Sequence, residues 1–240
     1  MRNLQSFISM LEHSGEVQRV QCEVSPELEI TEIADRLAIT QAPTTSTAAA
    51  TFDPNHFQLG GPAVLFENVA GSDFPCAINL YGSYRRMELA LGDDFESVAA
   101  RIASLVQPQR PTSLADLADR IREFAPLLKI GPKRRSRGAS QEVIHLASRG
   151  EVDLHRLPIL KCWPFDGDPT AVGYDVDATA AGTAGGGGRF ITFAGMHTIH
   201  AEDRHASRPR SHNIGMYRAQ LLGPTNLAMH WHIHHDGASH

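Results

Sequence analysis

Ala63-Val-Leu-Phe66 is the segment around which the rest of the chain can be placed. Four consecutive apolar residues, set off in front by Gly60-Gly-Pro62, suit a buried strand; a half-exposed strand would alternate apolar and polar positions. Cys76-Ala-Ile-Asn-Leu80 is a second such run, closed by Gly82. Around these runs the period changes. Leu4, Phe7, Ile8 and Leu11 recur at helical spacing and Gly15 ends that helix, while Val17-Gln-Arg-Val20 alternates like a short strand leading to Pro26. Ile30, Ile33, Ala34 and Leu37 share one helical face between Glu29 and Ile39, and two more helices are expected over Arg85–Leu91 and Phe95–Val106. The stretch from residue 40 to 62 is low in bulky groups and reads as a loop or insertion. This alternation predicts an α/β or α+β domain over residues 1–110.

Pro108, Pro111, Pro126 and Pro132, with the basic run Lys133-Arg-Arg-Ser-Arg137, fall within 107–140 and mark a linker, placed at 111–140, that carries one short helix near Leu114–Phe124. The second domain is expected over 141–240. Strands are predicted at Glu142–Leu146, Arg189–Phe193, Ile214–Leu222 and Leu227–Ile233, with a weaker alternation over Met196–His200 and a proline stop inside Asp153–Ile159. Short strands joined by glycine-rich turns point to a β-rich, barrel-like unit. Gly182 to Gly188 holds five glycines in seven residues but leads into Arg189 and a strand, without the Gly-Lys-Ser/Thr or G-x-G-x-x-G order of a phosphate loop, so it reads as a flexible turn.

Several function classes lose ground on composition. A formal charge of -5 argues against a nucleic-acid binder, and the single basic run reads as a solvated linker rather than a phosphate patch. Cys22, Cys76 and Cys162 are odd in number and far apart, which suits free thiols in a reducing compartment. Nothing beside Cys162 would depress its pKa to make it a nucleophile. The N-terminus lacks the apolar run of a signal peptide and no stretch approaches the ~18 apolar residues of a membrane span, so a cytoplasmic location is expected.

The chemistry concentrates late. Nine of the thirteen histidines fall between His197 and His240, five of them in the last eleven residues. His230, His232 and His234 alternate, and on a strand they would share one face opposite Trp231 and Ile233. Such a face could bind zinc as in a hydrolase, or consist of structural histidines. Asn213 and Arg218 lie five residues apart, an odd spacing that turns them to opposite faces of a strand unless a bulge intervenes.

A resemblance separates these readings. Phe66-Glu-Asn-Val69, Pro75, Asn79-Leu-Tyr-Gly-Ser83, Arg86 and Ala90-Leu-Gly92 resemble the N-terminal domain of the UbiD family of reversible decarboxylases, and Asp153-Leu-His-Arg-Leu-Pro-Ile159 resembles the entry to that family's central domain. The strongest likeness is Asn213-Ile-Gly-Met-Tyr-Arg218 followed by Met229-His-Trp-His-Ile-His234-His-Asp-Gly-Ala238, closest to members that act on hydroxylated aromatic acids. The resemblance implies prenylated FMN in a split β-barrel, with manganese or magnesium and potassium at its phosphate. It further implies Asn213 and His234 as metal ligands, and Met216, Tyr217 and Arg218 as one cofactor-contacting segment. His230, Trp231 and His232 match a second segment, and His235 and Asp236 a third, where some members carry Arg and Gly. Arg218 also matches the arginine that orients the substrate carboxylate.

These implied roles are chemically coherent. Loss of CO2 from an aromatic ring leaves an sp2 carbanion, for which a cofactor is the electron sink while the protein supplies position and charge. A guanidinium meets a planar carboxylate in bidentate fashion. The family pattern places its metal-ligand glutamate, its two catalytic carboxylates and its C-terminal domain beyond the histidine cluster, so the sequence leads us to expect a fragment lacking them. An aromatic acid substrate, a flavin prenyltransferase as cofactor supplier and homo-oligomers of the complete protein follow from the same likeness. The alternative expectation is a truncated, noncatalytic binding or assembly subunit.

Overall fold

The computed structural model describes residues 3–106, 136–168, 188–207, 211–229 and 231–239, with the isolated positions 113, 115, 118, 119, 121, 122, 125, 171 and 173. Helix α1 (Leu4–His13) starts at a reciprocal cap in which the Ser6 N–H donates to Asn3 Oδ1 at 2.8 Å and the Asn3 N–H to Ser6 Oγ at 3.1 Å. Its Phe7 and Leu11 are buried. Gly15, at φ +73°, then turns the chain into β1 (Val17–Val20). Strand β2 (Ala63–Phe66) pairs in parallel with β1 and antiparallel with β3 (Cys76–Ile78), so β2 is central in the order β1-β2-β3.

That central place explains the unbroken apolar run. Val64 and Phe66 face Ile30 of α2 (Glu29–Ala38), with Val24, Val69, Cys76 and Leu160. Ala63 points the other way, against Phe7 and Leu11, with Leu89 and Ala90 of α4 (Tyr84–Leu91) beside them. Both faces are covered by helices, and all four residues of β2 are buried. The crossover between the parallel strands holds α2 and a one-turn α3 (Ala49–Phe52), where sequence alone suggests a loop. Helix α5 (Phe95–Val106) buries none of its residues and is tied down by Phe95, whose ring meets Tyr84 and Phe52 edge-on at 5.4 and 5.8 Å.

Leu160 belongs to the core of this first sheet yet also joins the second. Lys161 N–H donates to Pro26 O at 3.0 Å and Leu28 N–H to Lys161 O at 2.9 Å, while Leu160 and Phe190 exchange backbone hydrogen bonds. The second sheet is an antiparallel meander, β4 (Phe190–Thr198), β5 (Asn213–Leu221) and β6 (Leu227–Met229). The expected α/β architecture followed by part of a split barrel is therefore present, as an open three-stranded sheet among the described residues.

One expected strand is not formed and another is shorter than expected. Val143 and Ile144 are 71% and 65% exposed in an unpaired stretch, because no neighbouring strand among the described residues reaches Glu142–Leu146. The strand expected over Leu227–Ile233 stops at Met229. Most of the linker helix expected near Leu114–Phe124, and the glycine run up to Gly187, lie outside the described residues. Among the described residues no helix is long and apolar enough to cross a membrane.

Burial pushes the Cys76 thiol up from its ordinary value near 9 to about 11. The folded chain then keeps a proton that the unfolded chain gives up. The stability from this group is whole below pH ~9 and is lost as pH rises toward ~11, a fall of about 2–3 kcal/mol. Urea titrations of the natural protein across that range, with Cys76→Ala as the reference, should show the extra slope only when Cys76 is present.

Candidate functional site

Strand β5 carries the site, and its alternation is regular. Asn213, Tyr217, Ala219 and Leu221 point to one face; Ile214, Met216 and Arg218 point to the other and are exposed. The bulge that could have brought Asn213 and Arg218 together is not in β5; the irregularity of this hairpin lies in β4, between Ile191 and Ala194. It therefore does not turn Asn213 and Arg218 to a common side. The two residues are divided by the sheet.

On the Arg218 face, Phe190 pairs with Gln220 across the strands and its ring lies under the guanidinium, 4.4 Å from Cζ to the centroid. Arg218 Nη1 donates to Asp166 Oδ2 at 2.7 Å. Gly195 stands opposite Met216, with open space where a Cβ would project, so the sheet has a bare floor beside the exposed Met216. The Phe193 ring stacks on Tyr81 at 5.8 Å, and Tyr81 stacks on Phe7 at 5.5 Å. This line of rings joins the second sheet to α1 of the first domain.

On the other face, the Tyr217 ring lies against Gly215, where a Cβ would collide with it. Trp231 meets Tyr217 edge-on at 5.9 Å, His235 lies 5.5 Å from it, and the Gly237 N–H donates to its hydroxyl at 3.2 Å. Asn213 opens the strand beside Thr198, with Nδ2 donating to Thr198 Oγ1 at 3.5 Å, which leaves its amide oxygen for a cation.

The histidines do not line a strand. After Met229 the chain turns, His235 N–H donates to His232 O at 2.8 Å, and a one-turn helix α6 (Asp236–Ser239) begins. The His232 N–H donates to His235 Nδ1 at 3.2 Å and the His234 N–H to His232 Nδ1 at 3.4 Å, with the His232 and His234 rings 4.9 Å apart. The turn replaces the alternation that would have placed His232 and His234 on one face. Among the described residues no group of three or more His, Cys, Asp or Glu could hold a metal ion. His230 and the side chain of Asp236 lie outside the described residues.

Sequence reading missed Asp166, Phe190 and Gln220. The available signal was Trp163-Pro-Phe-Asp166-Gly-Asp168, whose proline and glycine mark a turn bearing a carboxylate.

Residues 8–106 match the 3-octaprenyl-4-hydroxybenzoate carboxy-lyase N-terminal domain and residues 133–240 the Rift-related domain of the same enzyme family. An uncharacterized protein of Aquifex aeolicus is 34% identical over all 240 residues, which make up 40% of that relative. The closed form of vanillic acid decarboxylase from Sedimentibacter hydroxybenzoicus aligns with a TM-score of 0.62 at 22% identity, over 100% of this chain and 39% of its own. A UbiD-class enzyme from Pelotomaculum thermopropionicum, solved in complex with FMN, aligns at 0.59 and 19% identity over 98% of this chain and 38% of its own. Apo 3,4-dihydroxybenzoic acid decarboxylase from Klebsiella pneumoniae aligns at 0.59 and 17% identity, over 100% and 38% of the two chains. The chain thus spans about two-fifths of the length of these relatives.

Proposed function

The chain belongs to the UbiD family of carboxy-lyases, and on that premise we propose that the protein carrying it is a reversible, non-oxidative decarboxylase of a hydroxybenzoate-type aromatic acid that uses prenylated FMN. The observation that carries this reading is Arg218, an exposed guanidinium braced over Phe190 at the edge of the bare floor made by Gly195. A flat surface without a Cβ suits a planar heterocycle, and a braced arginine suits a planar carboxylate beside it. The relatives' printed names are in keeping with it: two act on vanillic and 3,4-dihydroxybenzoic acids, and one was solved with FMN.

Prenylated FMN would supply the electron sink for the aryl carbanion. The chain's own residues bind and orient. Arg218 would grip the substrate carboxylate, Met216 and the open backbone at Gly195 would help hold the cofactor, and Phe190 keeps water from beneath the guanidinium. Tyr217, Trp231, His232 and His235 gather on the opposite face and, with His230 and Asp236, are the further residues that would hold the cofactor. The Asn213 amide oxygen and a His234 imidazole nitrogen are hard or borderline donors that suit manganese or magnesium at a phosphate, with further ligands supplied from outside the described residues. Potassium shares the phosphate in this reading. The cytoplasm, where a flavin prenyltransferase would load the cofactor, is the proposed location.

The test is to make the natural protein together with a flavin prenyltransferase and measure CO2 release from 4-hydroxybenzoate-type acids. A flavin-like absorbance and turnover are expected. A folded, loaded protein that decarboxylates no aromatic, heteroaromatic or acrylic acid would overturn the proposal. One observation favours a second reading, a noncatalytic assembly subunit: α5 leaves Ile102, Leu105 and Val106 exposed. That reading expects a product that binds no cofactor and co-purifies with a partner chain.

A further inference from the structure

Arg218 has one protein partner among the described residues, and how that partner is held suggests a purpose. Asp166 sits in the turn Trp163–Gly167, and its carboxylate is 12% exposed although the arginine it meets is 55% exposed. Three contacts hold the turn, one from β5, one from the residues leading into β4 and one within the turn itself. Gln220 Nε2 donates to Gly167 O at 3.1 Å, the Gly188 N–H donates to Asp166 O at 2.6 Å, and the Asp168 N–H closes the turn on Phe165 O at 3.2 Å. Gly167 holds φ +69°, a conformation that favours glycine, and a Cβ there would push aside the Gln220 amide, 2.6 Å away. A surface aspartate seeking an ion pair needs none of this. The turn is built to deliver a carboxylate to one place.

The contact made there is one-sided. Asp166 engages Nη1, while the Phe190 ring supports the guanidinium from below at 4.4 Å. The edge formed by Nε and Nη2 has no protein partner among the described residues. That edge offers two parallel N–H groups, the arrangement a planar carboxylate accepts in bidentate fashion. Had Asp166 taken both, it would compete with an acidic substrate. Taking one nitrogen leaves a second carboxylate room.

We propose that Asp166 is a positioning residue for Arg218, fixing the guanidinium plane over Phe190 so that its Nε/Nη2 edge is presented to the carboxylate of an aromatic acid. The inference rests on the substrate-binding role proposed above for Arg218. An arginine stem has several rotatable bonds, and an exposed one otherwise loses that freedom on binding. Asp166 and Phe190 remove the freedom beforehand, so the benefit falls on binding in the ground state and transition state alike, which is a KM effect.

The test uses the natural protein loaded with cofactor, with 4-hydroxybenzoate as the first substrate. Asp166→Asn should raise KM roughly five- to tenfold while kcat changes less than about threefold, and Asp166→Glu should recover part of the loss. Gln220→Ala leaves the carboxylate intact but frees the turn, and should raise KM by about two- to fourfold. Labelling with phenylglyoxal, read at Arg218 by peptide mass spectrometry without cofactor or substrate, should speed up several-fold in Asp166→Asn. An unchanged KM and labelling rate would reduce Asp166 to a turn anchor and overturn the proposal. A lower KM would overturn it too, making Asp166 a competitor of the substrate. Should Arg218→Ala turn over normally, the prior reading of Arg218 fails; a collapse in Arg218→Ala beside a normal Asp166→Asn defeats this inference alone.

Discussion

Arg86→Met is expected to destabilise the first domain by about 3–5 kcal/mol, a large part of the ~5–15 kcal/mol that holds a domain together. Arg86 and Glu16 are both fully buried, and Arg86 Nη1 meets Glu16 Oε2 at 2.9 Å. The same Nη1 donates to Gly61 O at 2.6 Å and Nη2 to Gly60 O at 2.8 Å, while Glu16 Oε1 accepts the Thr44 N–H at 3.0 Å and the Thr44 hydroxyl. Burial pulls the guanidinium below its ordinary pKa and the Glu16 carboxylate opposes that pull. Methionine fills the volume but leaves the Glu16 carboxylate without its counter-charge and the Gly61 carbonyl without its donor, while the Gly60 carbonyl keeps the Asn79 amide at 2.8 Å. The glycines cannot move aside, because Gly60 and Gly61 hold positive φ and a Cβ on either would collide with the Gly82 or Leu37 carbonyl. Urea unfolding of the natural protein measures the loss. Adding Glu16→Gln should recover part of it, since the stranded charge goes, and this coupling should show as a non-additive cycle. A loss below 1 kcal/mol in the single variant would mean that the pair is not what closes this core.

The second large effect is catalytic. Arg218→Ala in the cofactor-loaded natural protein should cost roughly 3–5 kcal/mol in transition-state stabilisation, because a bidentate, partly desolvated carboxylate contact disappears. That is at least about a hundredfold in kcat/KM. Fold and cofactor content should persist, since the side chain is exposed and its loss opens no core cavity. Asn213→Ala and His234→Ala should instead lower metal and cofactor retention first, with activity lost as a consequence. Steady-state kinetics beside flavin absorbance and metal content separate the two patterns. Near-normal decarboxylation at wild-type occupancy in Arg218→Ala would show that another group holds the substrate.

The contrast between these two arginines shows where reading a sequence succeeds. Period and punctuation are local, so α1, α2, α4, α5 and the strands at Ala63 and Cys76 could be drawn from residues a few positions apart. The ordered motifs that mark the family were equally legible, and so was the odd spacing that sends Asn213 and Arg218 to opposite faces. Harder cases lay where a local pattern fits two backbones. The alternating His230, Trp231, His232, Ile233 and His234 would suit a strand, but a strand needs a partner. β6 is paired only through Met229 with Ala219, and beyond it the chain closes a turn on His232 O. Val143 and Ile144 likewise read as a strand and found no neighbour among the described residues.

Long-range polar pairing left no local trace at all. Arg86 meets Glu16 across 70 positions and Arg218 meets Asp166 across 52, each through a glycine-bearing turn whose placement depends on the packed sheet beneath it. Local chemistry thus determined the elements, the order of the motifs and the family to which the chain belongs. Packing decided which charges are buried, which carboxylate each arginine meets, and which edge of Arg218 is left open among the described residues, because a charge takes its partner from whatever the folded backbone brings within about 3 Å.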